Sequence, residues 1–276
     1  MTTPPTPNQA LIPGPVQLSL LPIQHLNVLC YGMSGTGKTE FAATFPKPVL
    51  FIDTDNGVTT LKTSPRLKDK DKMQIVRVVD SAADSRIRRP IGALTVTTVL
   101  NYLRDEGEYD GVKPATVVVD SLTTTAEYIL TDVLYRNNHA GQQPTIVDWG
   151  SQMRDVKNLI TTGIGLPLNF VCIAHSQFMK DELTGRTWCL PLITGKLAHS
   201  LSLYFDEVYF AEAKKVGTNH VYTLLTKSTP LIQAKSRLDL PTNIETNYTS
   251  IEKAVGPLLK KGGAATTGKI VQTVNL

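Results

Sequence analysis

The chain has 276 residues, 41% of them hydrophobic, and a formal net charge of +4. That is enough apolar material for the core of one α/β domain with extensions or two small domains, and the mild basic excess permits contact with nucleic acid without demanding it. Three scattered cysteines, Cys30, Cys172 and Cys189, exclude a disulfide framework, and no apolar run nears ~18 residues, so reduced thiols, no membrane contact and a cytoplasmic location are expected.

Residues 1–22 are rich in Pro and Thr and read as a flexible tail. Between 23 and 250 apolar runs alternate with helical patterns. His25–Tyr31, Pro48–Asp53, Gln74–Val79, Ala115–Asp120 and Asn169–Ala174 read as strands, and Gly37–Phe45, Gly92–Glu106, Thr123–Asn137 and Trp149–Thr162 as helices. Continuous β-branched runs belong to strands covered on both faces, hence a mainly parallel sheet between helices. Beyond about residue 176 the texture changes. Glu207–Ala213, His220–Leu225 and Leu231–Lys235 read as short strands of an antiparallel extension. Residues 251–276 read as a second flexible tail.

The first strand runs into Gly-Met-Ser-Gly-Thr-Gly-Lys-Thr at 32–39, the pattern G-x-x-x-x-G-K-[ST]. Gly32, Gly35 and Gly37 let the backbone turn so that successive N–H groups face one spot, an anion cradle completed by the following helix N-terminus. Lys38 supplies a mobile cation for the β- and γ-phosphates and Thr39 a hydroxyl for Mg²⁺. The segment Gly32, Ser34, Gly35, Thr36, Gly37, Lys38, Thr39 and Glu40 is therefore the expected nucleotide-binding set, for ATP or GTP. An acid at the end of an apolar strand completes such a site. Val117-Val-Val-Asp120 provides it, with Asp120 joining Thr39 as a metal ligand. Asp53 and Asp55 end another strand. One of them is a candidate to polarise the attacking water; capping a turn is the alternative.

The succession GMSGTGKT, FIDTDNG, TVVVDSLT, FVCIAHS and QAKSR resembles the RecA-type ATPase core over about residues 24–245. More narrowly, it is similar to phage-encoded RecA-like ATPases that include the Sak-type single-strand annealing proteins. The resemblance implies a RecA-like P-loop NTPase fold, Mg²⁺-dependent ATP hydrolysis and a role in phage recombination. It also implies single-stranded DNA and a single-strand-binding protein as partners, in the host cytoplasm. It places Asp55 where such cores carry the acid acting on the hydrolytic water, one methylene shorter than the usual Glu. It assigns His175 as the polar sensor of the γ-phosphate, with Gln177 as the alternative. Lys235 and Arg237 resemble the Lys-x-Arg pair that hexameric relatives insert into a neighbour's site, which implies a ring or filament.

Loops for single-stranded DNA are expected at Asn137–Pro144 or Gln177–Trp188. The second mixes Lys180 and Arg186 with Phe178 and Trp188, cations to track phosphates and aromatics to stack on bases; a β-hairpin with core aromatics fits the same residues. A DNA-remodelling motor or helicase loader is the alternative function. A small-molecule kinase would need an Arg-rich lid, for which Arg86–Arg89 is the candidate.

Overall fold

The computed structural model describes residues 25–80, 88–180, 182 and 185–254. The N-terminal tail, Arg86 and the second tail from 255 onward lie outside the described residues. In chain order the elements are β1 (Asn27–Gly32), α1 (Lys38–Ala43), β2 (Val49–Asp53), α2 (Thr59–Thr63), β3 (Met73–Arg77), α3 (Gly92–Glu106) and β4 (Thr116–Asp120). There follow α4 (Leu122–Arg136), α5 (Ile146–Ile164), β5 (Asn169–Lys180), β6 (Thr187–Pro191), α6 (Leu197–Ser200), β7 (Glu207–Val216), β8 (Asn219–Leu225) and β9 (Asn243–Glu245). None of the described helices is long and apolar enough to cross a membrane.

One sheet runs in the order β3-β2-β4-β5-β1-β7-β8-β9, with β6 attached to β5. The strands from β3 to β7 are mutually parallel; β8 and β9 add antiparallel neighbours at one end. This is the expected RecA-like α/β core with an antiparallel extension. Strand side chains alternate between two apolar layers, as the pleat requires. Leu29 and Tyr31 face the layer made with α3, α4 and α5, and Val28 and Cys30 face the layer made with α1 and α2. Caps start the helices at defined points: Ser121 accepts from Thr124 N–H at the head of α4, and Thr145 with Asp148 forms a capping box at the head of α5.

Four expectations are corrected. The segment Leu231–Lys235 is not a strand: it makes one isolated bridge from Ile232 to Cys189 and another from Lys235 to Val208. The fifth strand does not stop at Ala174 but continues to Lys180, because β6 folds back on its distal half from Ser176 onward. β3 is an edge strand with three of its five residues exposed, rather than one covered on both faces. The fold also runs past residue 250, since Ile251 is fully buried in the α1 layer and the chain is helical through Ala254.

Helix α5 packs so closely on β5 that a Cβ at Gly163 would overlap the ring of Phe170, which is itself fully buried. Gly163→Ala should therefore destabilise the fold by about 1–3 kcal/mol of overpacking, more than the up to ~1 kcal/mol that alanine adds to a helix. A lowered urea midpoint at unchanged m-value would register the loss.

Candidate functional site: a phosphate cradle between two acidic strand ends

The C-terminal ends of β1, β2 and β4 meet the middle of β5 around a cavity of about 740 Å³. That is the crevice in which open parallel sheets hold ligands, and the volume suits a nucleotide. Register explains the convergence: Asp53 pairs with Asp120, Asp120 with Ile173, and Gly32 with His175, so functional residues distant in sequence end on adjacent rows.

The 32–39 loop takes the cradle conformation. Gly35 and Gly37 have φ of 77° and 82°, a region that side-chain-bearing residues rarely enter. Gly32 is needed for a different reason, since a Cβ there would sit 2.5 Å from the Ala211 carbonyl oxygen of β7. Ser34 and Gly35 are exposed in the cavity wall, and Thr36 fastens the loop by donating to Met33 O at 2.8 Å. Lys38 is buried, with its ammonium donating to Gly32 O and Met33 O at 2.9 and 2.6 Å. Burial lowers its pKa, opposed by the charges of Asp120 and Asp55. Helix α1 spans only six residues, so the loop amides, not a long helix dipole, dominate the cradle. Cys30, on the strand just before it, is buried and its thiol pushed up to about 12, which leaves it inert.

Thr39 Oγ1 donates to Asp120 Oδ2 at 2.7 Å. Burial pushes the Asp120 carboxyl up to about 7; Thr39's hydrogen bond opposes the rise, and Asp55 and Asp53 add to it. A hydroxyl and a carboxylate with an unfavourable charge are the oxygen donors Mg²⁺ takes, the rest of its shell coming from water and substrate phosphates. Among the described residues no cluster of three or more His, Cys, Asp or Glu could hold a metal by itself.

The two acids after β2 have separate places. Asp53 is fully buried and accepts from Gly57 N–H at 3.0 Å, capping the turn. Asp55 reaches the cavity, where His175 Nε2 lies 3.0 Å from its Oδ2, while its Oδ1 is buried without a partner. Thr54 between them stitches the strand ends together: its N–H donates to Asp120 O at 2.7 Å and its hydroxyl receives Ser121 N–H at 2.9 Å. His175 is fixed by its backbone, whose N–H donates to Thr123 Oγ1 at 3.0 Å and whose carbonyl receives Leu192 N–H at 2.7 Å. Gln177 turns away, donating to the carbonyls of Pro191 and Ile193.

Other expected residues stand elsewhere. Glu40 lines the cavity, but its carboxylate is paired with Arg66 at 3.5 Å. Lys235 and Arg237 lie at the far end of the sheet, beside the start of β7. The Lys235 ammonium donates to Ser202 O and Phe205 O at 3.0 and 2.6 Å, and Arg237 pairs with Asp206 at 2.6 Å, so neither enters this chain's own cavity. Arg89 is bound to Asp132 at 3.3 Å on the α4 side, away from the cavity. On the β5–β6 ribbon Phe178 is 61% exposed and Lys180 is exposed on the same face, two residues on. Arg186 lies 3.7 Å over the half-buried ring of Trp188. In the Asn137–Pro144 connection, Asn137 and His139 hold Asp148 at the head of α5, which makes that segment a structural clasp. Sequence reasoning missed Thr54, Thr124, Arg66 and Tyr222, which also line the cavity. Only Thr54, flanked by two acids at a strand end, carried a local signal.

A cradle of this form, with a buried lysine and a hydroxyl–carboxylate pair at the ends of parallel strands, defines a P-loop nucleotide-binding domain. A family model described as an AAA domain matches residues 24–238, most of the chain, and the chain belongs to that family. No curated protein matches it. Among solved structures, a KaiC-like protein from the hyperthermophilic archaeon Pyrococcus horikoshii is similar over 74% of this chain and 79% of its own, at 13% identity and a TM-score of 0.39.

Lys38→Ala removes the buried cation of the cradle, and ATP affinity should fall at least about tenfold, the worth of one charged hydrogen bond. Titration with a fluorescent ATP analogue measures it; undiminished binding would remove the cradle assignment.

Proposed function

We propose that the chain hydrolyses ATP with Mg²⁺ and binds single-stranded DNA in phage recombination or annealing, in the manner of the Sak-type ATPases it resembles. The observation that carries the hydrolytic part is the Asp55–His175 pair facing Lys38, Thr39 and Asp120 across one cavity. In this reading Lys38 and the loop amides hold the phosphates, and Thr39 and Asp120 would hold Mg²⁺, which when bound neutralises developing phosphate charge. Water attacks the γ-phosphorus, its oxygen–phosphorus bond forming as the bond to the ADP oxygen breaks. Asp55 takes the proton released from that water, and His175 orients its carboxylate.

The DNA part rests on continuity. His175 lies on the same strand as Phe178 and Lys180, so a shift at the phosphate end is transmitted along β5 into the ribbon. An exposed aromatic beside a cation on one ribbon face has the chemistry of a single-strand platform. Assembly into a ring or filament belongs to the same reading, with Arg237, its side chain 60% exposed, as the cation a neighbour would receive. Of the Arg86–Arg89 segment that a kinase lid would need, Arg89 is committed to Asp132, away from the cavity.

Asp55→Asn should leave ATP affinity intact while turnover falls by ~10²–10⁴-fold, the usual worth of a general base. An equal effect from Asp53→Asn with normal Asp55→Asn turnover would reverse the assignment. Single-stranded DNA should stimulate phosphate release by the native chain, and Phe178→Ala should weaken DNA binding by about 1–3 kcal/mol, one base stack. Turnover indifferent to DNA, together with no retention of a labelled oligonucleotide, would sink the DNA reading and leave the ATPase.

A further inference from the structure

The cavity has a second half that phosphate and water chemistry leave unused. Asp55, Asp120 and His175 come from the β2, β4 and β5 side of β1, whereas Tyr222 comes from β8 on the other side. From β5 to β8 is three strand spacings, roughly 14 Å, a span on the scale of an extended nucleoside triphosphate. Tyr222 is half-buried and rests against the cradle, its Cδ1 lying 3.3 Å from where a Cβ on Gly37 would be. Arg66, from the segment between α2 and β3, lays its guanidinium 4.5 Å from the centroid of that ring. Glu40, in the first turn of α1, holds the same guanidinium at 3.5 Å.

We propose that Arg66, backed by Tyr222 and steered by Glu40, is the platform on which the purine base of the bound nucleoside triphosphate stacks. The inference deepens the ATP-binding reading and rests on it. Direction follows from the carboxylates. The hydrolytic water belongs beside Asp55, so the γ-phosphate lies on the β2–β4–β5 side and the base on the side of β8. A guanidinium is planar and weakly hydrated, so one face can lie on an aromatic ring while the other receives a base. The Glu40 carboxylate both fixes the plane and offsets the positive charge, which makes Arg66 a stacking surface rather than another phosphate ligand. An acid in the first turn after the cradle would otherwise repel the phosphates; pairing it with Arg66 removes that conflict.

The test compares two probes, ATP and inorganic tripolyphosphate, by calorimetric titration of the full chain in Mg²⁺. Tripolyphosphate keeps the phosphates and lacks the base. The double variant Arg66→Ala, Glu40→Gln, which removes the pair without leaving the acid unpaired, should weaken ATP about tenfold, the size of one lost base stack, and leave tripolyphosphate affinity unchanged. Arg66→Lys keeps the charge without the plane, and most of the same factor should be lost. Equal weakening of both probes by the double variant would make Arg66 a phosphate contact and overturn the proposal, as would unchanged ATP affinity. If the native chain binds tripolyphosphate as tightly as ATP, the cradle stands and the base platform falls. If it binds neither, the triphosphate reading falls, and this inference with it.

Discussion

Three carboxylates crowded at the ends of two neighbouring buried strands are the constraint to which the rest of the site answers. Asp53, Asp55 and Asp120 stand close together, and burial penalises the ionised forms of Asp53 and Asp120. Left unpaired, such charges would cost several kcal/mol each. Each has instead been given a different partner: a turn amide for Asp53, an imidazole for Asp55 and a hydroxyl for Asp120. Among the described residues the one buried ammonium, Lys38, is placed by a loop whose shape only glycines permit. The cluster is thus electrostatically poised to receive a cation.

The sheet makes this arrangement reproducible. β1 ends at Gly32, while its neighbours β5 and β7 both run on, each into an antiparallel ribbon. The cradle therefore sits in a notch between two ribbons. Close approach of Gly32 to the Ala211 carbonyl seats the loop against β7, and the Thr123 and Leu192 bonds pin His175 on the β5 side. At the opposite end of the sheet a fully buried Glu207 accepts from Tyr209 and from Arg237 N–H. Lys235 closes nearby carbonyls there. That end is a clasp for the chain after β8.

Much of the core was legible because its determinants are local. The cradle needs glycines at fixed places, buried strands need unbroken β-branched runs, and α3 begins and ends where its pattern and Gly107 say it should. Features made by distant partners were not legible. The extension of β5 depends on β6 folding back on it, and the residues of Gln177–Trp188 offer a β-hairpin only as the alternative to a DNA loop. Leu231–Lys235 has a strand's composition, but each of its bridges goes to a different neighbour. The Lys-x-Arg spacing matched a pattern, while the carbonyls and Asp206 that hold those side chains come from the segment before β7. Arg66 and Tyr222 lie on unrelated elements and meet only once the sheet is built.

The stack of Arg186 on Trp188 has an experimental consequence. The chain contains two tryptophans, and the other, Trp149, is in the first turn of α5. Replacing Trp149 by Phe leaves a single indole whose emission is set by a guanidinium on its face and by His199 at its edge. The ribbon then carries its own optical gauge, without an attached dye, and any event that lifts the guanidinium off the ring is recorded as a change in colour and intensity.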